Sequence, residues 1–355
     1  MDTTPAAAPT RDPLTHGSCD LPDVRIDGYS LDIEDEDGQV GDRASQTAFR
    51  ELLTEWRERL EKAGRDPLGP TPSEEMSKSE LDRLAREGDT EAVRTISLAV
   101  VDFSEQLSHV VQRLRQHPSW KGVEGIVVGG GFKESDIGRL AIRQAGHRLA
   151  YEGVDLWMRP IHHAADDAGL VGGLHLIPHL AEADAGGLLA VDIGGTNVRC
   201  GVVVYDGTER AHLAKARVVE REKWRHADDD PQQNDLVEGI VGMLKRLIRY
   251  AEGEGIALAP FISVACPGVI LSHGAIERGA HNLPGDWHRA SFHLPRRLQE
   301  NIPVIGGHET AVVMHNDAVV QGLSELPFLD DAERWAVLTI GTGLGNASYT
   351  TRRRS

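Results

Sequence analysis

The stretch that decides the fold is Leu189-Ala-Val-Asp-Ile-Gly-Gly-Thr-Asn197, which continues into a second apolar run from Val198 to Tyr205. Two apolar segments separated by a Gly-Gly corner predict a β-hairpin. Glycines let a backbone approach an anion closely, amides and a Thr hydroxyl can donate hydrogen bonds to it, and the carboxylate of Asp192 can order Mg²⁺ through water. A tight turn without a ligand would need the same glycines, because Gly adopts positive φ freely.

Two further glycine corners have the same chemistry. Trp335 to Ile340 is an apolar strand that enters the loop from Gly341 to Asn346, and Gly125-Ile-Val-Val-Gly-Gly-Gly131 precedes helical spacing from Glu134 to Tyr151. Three such corners are harder to explain as ligand-free turns than one. Alternating strands and helices predict α/β layers. A dinucleotide fingerprint is disfavoured, because position 134 is Glu where that pattern requires Gly.

His315-Asn316-Asp317 follows an apolar strand and opens the small-residue helix Ala318 to Glu325. A carboxylate at such a junction can accept a hydroxyl proton during phosphoryl transfer. The ordinary alternative is a helix N-cap, a role that Asp often fills. Asn282-Leu-Pro-Gly-Asp-Trp287 offers an amide, a turn and an aromatic for a polyol, and Cys266-Pro-Gly268 can present backbone to a ligand. Both are also ordinary loops.

The composition excludes several classes of function. The net charge is −17 over 355 residues, with Arg352 to Arg354 the only basic run, which argues against nucleic acid or an anionic membrane as a partner. Three scattered cysteines predict neither a disulfide framework nor a cysteine-rich zinc site. No basic leader or long apolar run is present, so we expect a cytoplasmic location. His175 and His179 lack the following Glu of a zinc protease helix.

The N-terminal part of the chain divides into an extension and helices. Residues 1–45 are rich in Pro, Thr, Gly and Asp and predict an irregular extension. Helical spacing follows in Thr47 to Ala63, Ser77 to Glu87 and Thr90 to Arg115. The apolar face from Phe49 to Leu60 suits the core or a homodimer face equally well.

Taken together, the motifs resemble the ROK family of sugar kinases, on the two-lobed actin-like ATPase fold, over roughly residues 78 to 349. Leu189 to Asn197 looks like the first phosphate motif and Thr339 to Gly345 like the second. Ala265 to Gly268 resembles the Pro-Gly turn, Asn282 to Trp287 the sugar-side loop and Asn316-Asp317 the Asn-Asp pair. Ile126 to Gly131 resembles the adenosine motif.

The motif order departs from this family. Its adenosine motif and terminal helix, which Asp166 to Gly172 resembles, normally follow the second phosphate motif, whereas here they precede the first. The simplest interpretation is a circular permutation in which Pro178 to Gly187 joins the old ends and the new ends lie beyond Asn346. Neighbouring termini in a domain permit such a joint. The hypothesis requires Gly129 to Gly131 to lie close to Gly341 to Gly345.

A second departure concerns the acceptor. The family usually carries a Glu-x-Gly-His sugar motif and a cysteine-rich zinc module, and neither is found in this sequence. Residues 20–77 are the expected replacement, and no structural zinc is expected. His308-Glu309 has suitable residue types in the wrong context. Sugar identity is therefore left open.

The resemblance implies ATP- and Mg²⁺-dependent phosphorylation of a hexose or hexose derivative, with Asp317 as the base. The larger nucleotide lobe is expected from residues 46–165 and 318–355, and the smaller lobe from 166–317. Substrate-binding positions would be Gly268, Asn282, Asn316 and Asp317. Phosphate-binding positions would be Gly194, Gly195, Thr196, Asn197, Gly341, Thr342 and Gly343. Adenosine would lie against Gly129, Gly130 and Gly131, and Asp192 would order Mg²⁺ through water.

The alternative from another class is a non-catalytic sugar or nucleotide sensor, because some relatives of the family are transcriptional regulators. Those carry a winged helix-turn-helix, for which residues 1–45 are too polar and irregular. Retention of Asp192 and Asp317 favours an enzyme, whereas the missing Glu-x-Gly-His motif favours the sensor.

Overall fold

The computed structural model describes residues 15–36, 38–61, 66–177, 185–207, 209–280, 282–289, 291–329 and 332–352. The strands within these ranges are β1 Val24–Tyr29, β2 Glu34–Asp35, β3 Gly38–Gln39, β4 Gly125–Gly129, β5 Trp157–Pro160, β6 Gly187–Ile193, β7 Val198–Val204, β8 Arg217–Trp224, β9 Leu258–Cys266, β10 Val269–Ile270, β11 Ile276–Arg278, β12 Val304–Ile305, β13 His308–Glu309, β14 Ala311–Asn316, β15 Arg334–Ile340 and β16 Leu344–Thr351. The α-helices are α1 Gln46–Glu61, α2 Lys78–Glu87, α3 Thr90–Arg115, α4 Asp136–Tyr151, α5 Ala168–Gly172, α6 Arg210–Leu213, α7 Gln233–Gly253, α8 Leu294–Asn301 and α9 Asp317–Leu323.

Two five-stranded sheets share one spatial plan. The first has the order β1-β16-β15-β4-β5 and the second β8-β7-β6-β9-β14. In each, three antiparallel strands are followed by two strands parallel to the third of them. The predicted α/β fold with two lobes, as expected of the actin-like ATPase fold, is confirmed by this repeated arrangement.

The sheets differ in the order in which the chain visits equivalent strands. In the second sheet the antiparallel strands β6, β7 and β8 precede the parallel pair β9 and β14. In the first sheet the outermost antiparallel strand, β1, comes first along the chain, whereas the other two antiparallel strands, β15 and β16, come last. Val24 of β1 pairs with Thr351 of β16, so strands from the two ends of the described chain are neighbours in the sheet. Such a cyclic shift is what the permutation hypothesis requires, and the permutation itself remains a prediction.

The packing forms five layers. Helices α1 to α4 cover the outer face of the first sheet through one apolar core. The short helices α5 and α9 lie between the two sheets in a second core, which contains Val127, Leu170 and Trp335. Helices α7 and α8 cover the outer face of the second sheet. The layers place the parallel strand ends of both sheets around one cleft.

Most long helices match their sequence prediction closely. α3 has the predicted bounds, and within the described part of the chain no helix is both long and apolar enough to span a membrane. α4 begins at Asp136 rather than Glu134, because the Ser135 hydroxyl caps it by accepting the Gly138 amide. The segment that resembles the terminal helix of the family forms α5, which a 3₁₀ turn, Gly173–Leu176, follows directly.

The prediction of an irregular extension over residues 1–45 is wrong from Val24 onward. β1 is an edge strand of the first sheet, with Val24 and Ile26 buried between the sheets. The intervening Arg25 donates a hydrogen bond to Asp27. These charged residues alternate with the buried apolar ones, so the segment does not look like a strand in the sequence. The lobe predicted from residues 46–165 and 318–355 therefore also needs this strand. Residues 1–14 lie outside the described part.

Several other predictions concern residues that the structure does not describe. The proposed joint from Pro178 to Gly187 falls largely in residues 178–184, and His179 is among them. Only Arg352 of the basic run from Arg352 to Arg354 is described, and its guanidinium pairs with Asp20.

Candidate active-site cleft

A cleft of about 1070 Å³ lies where the carboxyl ends of the parallel strands in both sheets converge. Ligands of open α/β sheets bind at such strand ends. The predicted site residues that line it are Gly130, Gly131, Gly194, Gly195, Thr196, Asn197, Gly268, Asn282, Asn316, Asp317, Gly341, Thr342 and Gly343. Gly129 and Asp192 are buried and do not line the cleft. The fold therefore brings together three glycine motifs from distant parts of the chain.

The loop predicted to bind phosphate first in the chain, Gly194 to Asn197, is here called the first phosphate loop and is a tight turn between β6 and β7. The Gly194 amide donates to the Asn197 carbonyl at 2.9 Å, and His226 Nε2 lies 2.9 Å from the Gly194 carbonyl. A Cβ atom on Gly195 would lie 2.7 Å from Asn282 Cβ. This close approach joins the phosphate loop to the sugar-side loop, and it leaves no room for a side chain at position 195.

The second loop predicted to bind phosphate, Gly341 to Gly343, is here called the second phosphate loop and is held by the start of α1. The Gly341 amide donates to the Gly343 carbonyl at 2.9 Å, while the Gln46 amide donates to the Gly341 carbonyl at 2.8 Å. The hydroxyl of Thr342 lies 3.3 Å from that of Thr196. The two phosphate loops thus meet across the cleft. Gln46 also lines it, although the sequence offered no signal for this residue beyond its place at a helix start.

The adenosine motif lies directly beside the second phosphate loop. Gly129 pairs with Thr339 in adjacent parallel strands, and Gly130 has a φ of +79°. A Cβ on Gly130 would lie 2.5 Å from the Ile340 carbonyl oxygen, so glycine is required on two counts. Lys78 Nζ donates to the Gly131 carbonyl at 2.5 Å. This proximity satisfies the condition that the permutation hypothesis set.

Asn316 caps α9. Its Oδ1 accepts the Val319 amide at 3.1 Å, and its Nδ2 donates to the Gly268 carbonyl at 3.0 Å and to Ser30 Oγ at 3.1 Å. With 2% of its surface exposed, this amide is already engaged by protein. The sequence left open whether Asp317 is merely the N-cap. The structure assigns that role to Asn316, and Asp317 becomes the first helical residue.

Asp317 lines the cleft. Burial, and then the nearby Asp192 carboxylate, raise its pKa to about 7, although hydrogen bonds from backbone amides and Asn316 oppose the shift. A carboxylate with a pKa near neutrality is well matched to proton transfer at physiological pH. This perturbation distinguishes Asp317 from a helix cap, which benefits from remaining ionised.

Asp192 lies beneath the cleft, with 2% of its surface exposed. Arg199 Nη1 is 3.3 Å from its Oδ2, and Arg199 Nε donates to Asp166 at 2.5 Å. Burial raises the pKa of Asp192, and the Arg199 charge lowers it. Gly169 packs so closely that a Cβ there would lie 2.7 Å from Asp192 Oδ1. Asp192 is therefore fixed by an ion pair and by a helix of small residues.

Cationic side chains on one rim of the cleft were missed by sequence reasoning. Arg221 and Lys223 alternate along β8 and Arg225 follows its last residue, and all three line the cleft. Asp167 pairs with Arg221, and Lys223 lies 2.9 Å from Asp166. The signal was available as period-two spacing in Arg-Glu-Lys-Trp-Arg, but the strand is too charged to be recognised as one. The rim therefore carries guanidinium and ammonium donors whose charges are balanced by neighbouring carboxylates.

The sugar-side loops differ from expectation in one respect. Trp287 is 1% exposed and donates to the Pro284 carbonyl at 2.8 Å, so its ring packs in the core instead of facing a polyol. Gly268 has a φ of +101°, and a Cβ atom there would lie 2.4 Å from the Arg278 carbonyl oxygen. Asn282 and Gly268 line the cleft as predicted. Among the described residues, no group of three His, Cys, Asp or Glu is arranged to hold a metal ion.

Comparison with known proteins agrees with the motifs. A glucokinase from Thermotoga maritima is 27% identical to this chain over 165 residues. The match includes 46% of this chain and 44% of the glucokinase. The chain is thus similar to a sugar kinase. It spans less than half the length of that relative, and no protein-family model matches the chain.

Similarity to solved structures is low and partial. A ROK hexokinase from Thermus thermophilus is 22% identical with a TM-score of 0.28, covering 45% of each chain. A protein from Cytophaga hutchinsonii, provisionally assigned as a sugar kinase, is 20% identical with a TM-score of 0.34 over 46% of this chain and 47% of its own. The fold is therefore defined by the strand order of the two five-stranded sheets.

Proposed function

We propose that this protein is a sugar kinase that transfers the γ-phosphoryl group of ATP to a hydroxyl of a hexose or hexose derivative. The observation that carries the proposal is Asp317, which is relieved of helix capping by Asn316 and lines the cleft close to two glycine phosphate loops. The similarity to a glucokinase supports the same reaction class.

Asp317 acts as the general base in this proposal. The attacking group in this proposal is the hydroxyl on C6 of the sugar. The Asp317 carboxylate accepts its proton as the oxygen bonds to the γ-phosphorus and the bond from that phosphorus to the β-phosphate oxygen breaks. A pKa of about 7 keeps a large fraction ionised near neutral pH. Gly268 and Asn282 would contact the sugar. Asn316 would act by fixing the Gly268 carbonyl and α9, because its own amide is already engaged.

The two phosphate loops would hold the donor. Backbone amides in Gly195 to Asn197 and in Thr342 and Gly343, with the hydroxyls of Thr196 and Thr342, would form a polar floor for the phosphates, while the Gly194 and Gly341 amides close the two turns. Arg221, Lys223 and Arg225 add hydrogen-bond donors along the rim. Gly130 and Gly131 line the neighbouring part of the cleft, where the adenosine would lie. Phosphoryl transfer depends mainly on positioning and charge stabilisation, which such a surface supplies.

The residues present fit a hydrated Mg²⁺ ion. Asp192 and Asp317 are close enough for the Asp192 charge to raise the pKa of Asp317, an unfavourable repulsion that a divalent cation would relieve. Gln321 lies one helical turn beyond Asp317, lines the cleft, and has a buried Oε1 without a hydrogen-bond partner. Oxygen donors suit Mg²⁺ or its water ligands. When bound, the ion would neutralise phosphate charge, with Asp192 ordering its water.

The experiment is ADP release from Mg-ATP across hexoses and N-acetylhexosamines. Wild-type protein should respond to at least one sugar, and Asp317→Asn should reduce kcat by at least about a hundredfold while ATP binding stays within about twofold. Asp136→Asn, at an exposed position on α4, is the matched control and should retain wild-type turnover. Substantial turnover by Asp317→Asn would refute the base assignment.

A further inference from the structure

The segment from Tyr29 to Asp32, here called the acceptor wall, lies along one side of the cleft, which Ser30 and Asp32 line. It begins at the last residue of β1 in the first sheet and contacts β14 of the second sheet and the β10–β11 hairpin. Tyr29 Oη donates to the Ile270 carbonyl at 3.4 Å, Asn316 Nδ2 donates to Ser30 Oγ, and Asp32 pairs with Arg278 at 3.0 Å. The wall therefore bridges the two halves of the protein beside Asp317.

The backbone of the wall is fixed in an unusual conformation. Ser30 has a φ of +48°, in the left-handed region that residues other than glycine rarely adopt. Asn346 holds this turn through three hydrogen bonds: its carbonyl accepts the Ser30 amide, its Oδ1 accepts the Leu31 amide and its Nδ2 donates to the Leu31 carbonyl. Strained residues persist where their surroundings determine them, and they cluster at functional sites.

The Asp32–Arg278 pair has little value for stability. Its side chains are 68% and 54% exposed, and exposed ion pairs contribute little to folding. Both residues line the cleft, together with Gly268, Asn282 and Asp317. A guanidinium offers only donors and a carboxylate only acceptors, so the two together complement neighbouring sugar hydroxyls. Because their charges cancel, the pair gives no electrostatic preference for an anionic sugar.

We propose that Asp32 and Arg278 are specificity-determining residues that bind hydroxyls of a neutral hexose at the end away from the reacting oxygen. The inference rests on the proposed kinase function. The two side chains would provide an acidic and a basic group for sugar binding in a chain without a Glu-x-Gly-His motif. The inference also assigns a role to part of the N-terminal segment from residue 20 to residue 77.

Calorimetric binding of sugars tests this role without relying on turnover. The probes are glucose, mannose, galactose and their N-acetylhexosamines, with glucuronate as the anionic probe. Arg278→Gln should weaken binding of the preferred neutral sugar by at least about tenfold. Asp32→Asn leaves Arg278 without its counter-ion, so the affinity for glucuronate relative to that for the neutral sugar should rise by about tenfold. Arg296→Gln and Glu300→Gln disrupt an equally exposed pair on α8 and should change neither value.

The outcomes separate this inference from the proposed function. Unchanged sugar binding in both wall variants would overturn the inference, even if wild-type protein releases ADP. Weakened binding in the variants without any wild-type ADP release would uphold the recognition role and overturn the kinase. Absence of binding by every sugar, with glucuronate included, would overturn both.

Discussion

The hydroxyls of Thr196 and Thr342 lie 3.3 Å apart, although 146 residues separate them in the sequence. Each belongs to one of the two loops that we propose bind phosphate, so the contact joins these loops across the cleft. The backbone of Thr342 is also held by α1, because Thr47 Oγ1 donates to the Thr342 carbonyl at 3.2 Å.

This relationship predicts the effect of removing either hydroxyl. Thr196→Ala and Thr342→Ala should each raise the KM for ATP by about three- to tenfold, the value of one hydrogen bond, with the sugar KM nearly unchanged. Initial-rate kinetics at varied ATP measure the effect. Thr54→Ala on the outer part of α1 is the control. A change confined to the sugar KM would contradict the placement of phosphates at these loops.

The raised pKa of Asp317 predicts the pH dependence of turnover. A base must be ionised, so kcat/KM for the sugar should rise with pH through an apparent pKa near 7 and level off above it. Asn316→Asp keeps an oxygen for the cap but adds a neighbouring carboxylate, which should move that inflection to higher pH. A flat profile from pH 5 to 8 in the wild-type protein would contradict the assignment.

The backbone conformation of Gly130 predicts that a side chain at this position destabilises the fold. Gly130→Ala should destabilise the protein by about 1–3 kcal/mol, because a side chain there meets positive φ and the Ile340 carbonyl together. Chemical denaturation measures the change. Gly253→Ala at the end of α7, where a Cβ meets no atom within 4 Å, should be neutral or stabilising. Equal stability of the two variants would show that the turn tolerates a side chain.

Buried histidines predict a loss of stability in acid. Burial lowers the pKa of His315 to about 4, and burial with neighbouring His293 and His273 lowers that of His16 to about 4. The neutral forms stabilise the fold fully above pH 6.5, and this contribution falls as pH drops toward 4. Denaturation curves should show a smaller acid loss in His315→Gln than in wild type, and an unchanged loss in His147→Gln, an exposed control. Identical slopes for wild type and His315→Gln would contradict this.

The strong local patterns were sufficient to predict the glycine corners and long helices. Asp192-Ile-Gly-Gly-Thr196 combines a short apolar run with residues that permit one kind of turn, and the structure forms that turn. α3 matches its predicted bounds because its apolar face is continuous over several turns. In both cases, the information lies within a short segment of chain.

The missed features depend on partners distant in sequence. β1 and β8 carry many charges, and they become strands because the sheet supplies hydrogen bonds and counter-ions such as Asp166. The acceptor wall is similar, because nothing near Ser30 indicates that Asn346 and Asn316 will fix it. Of the two alternatives for the Trp287 loop, the structure favours the ordinary loop, because the indole is buried and packs against Phe292.

The most direct test of the central claim is transfer of label from γ-labelled ATP to sugar. With Mg²⁺ and the best sugar of the panel, mass spectrometry and phosphorus NMR should identify one monophosphorylated sugar formed in equal amount to ADP. Asp317→Asn should form it at less than about one-hundredth of the wild-type rate. ADP formed with free phosphate and no sugar phosphate, or no label transfer despite ATP binding, would contradict the proposed kinase.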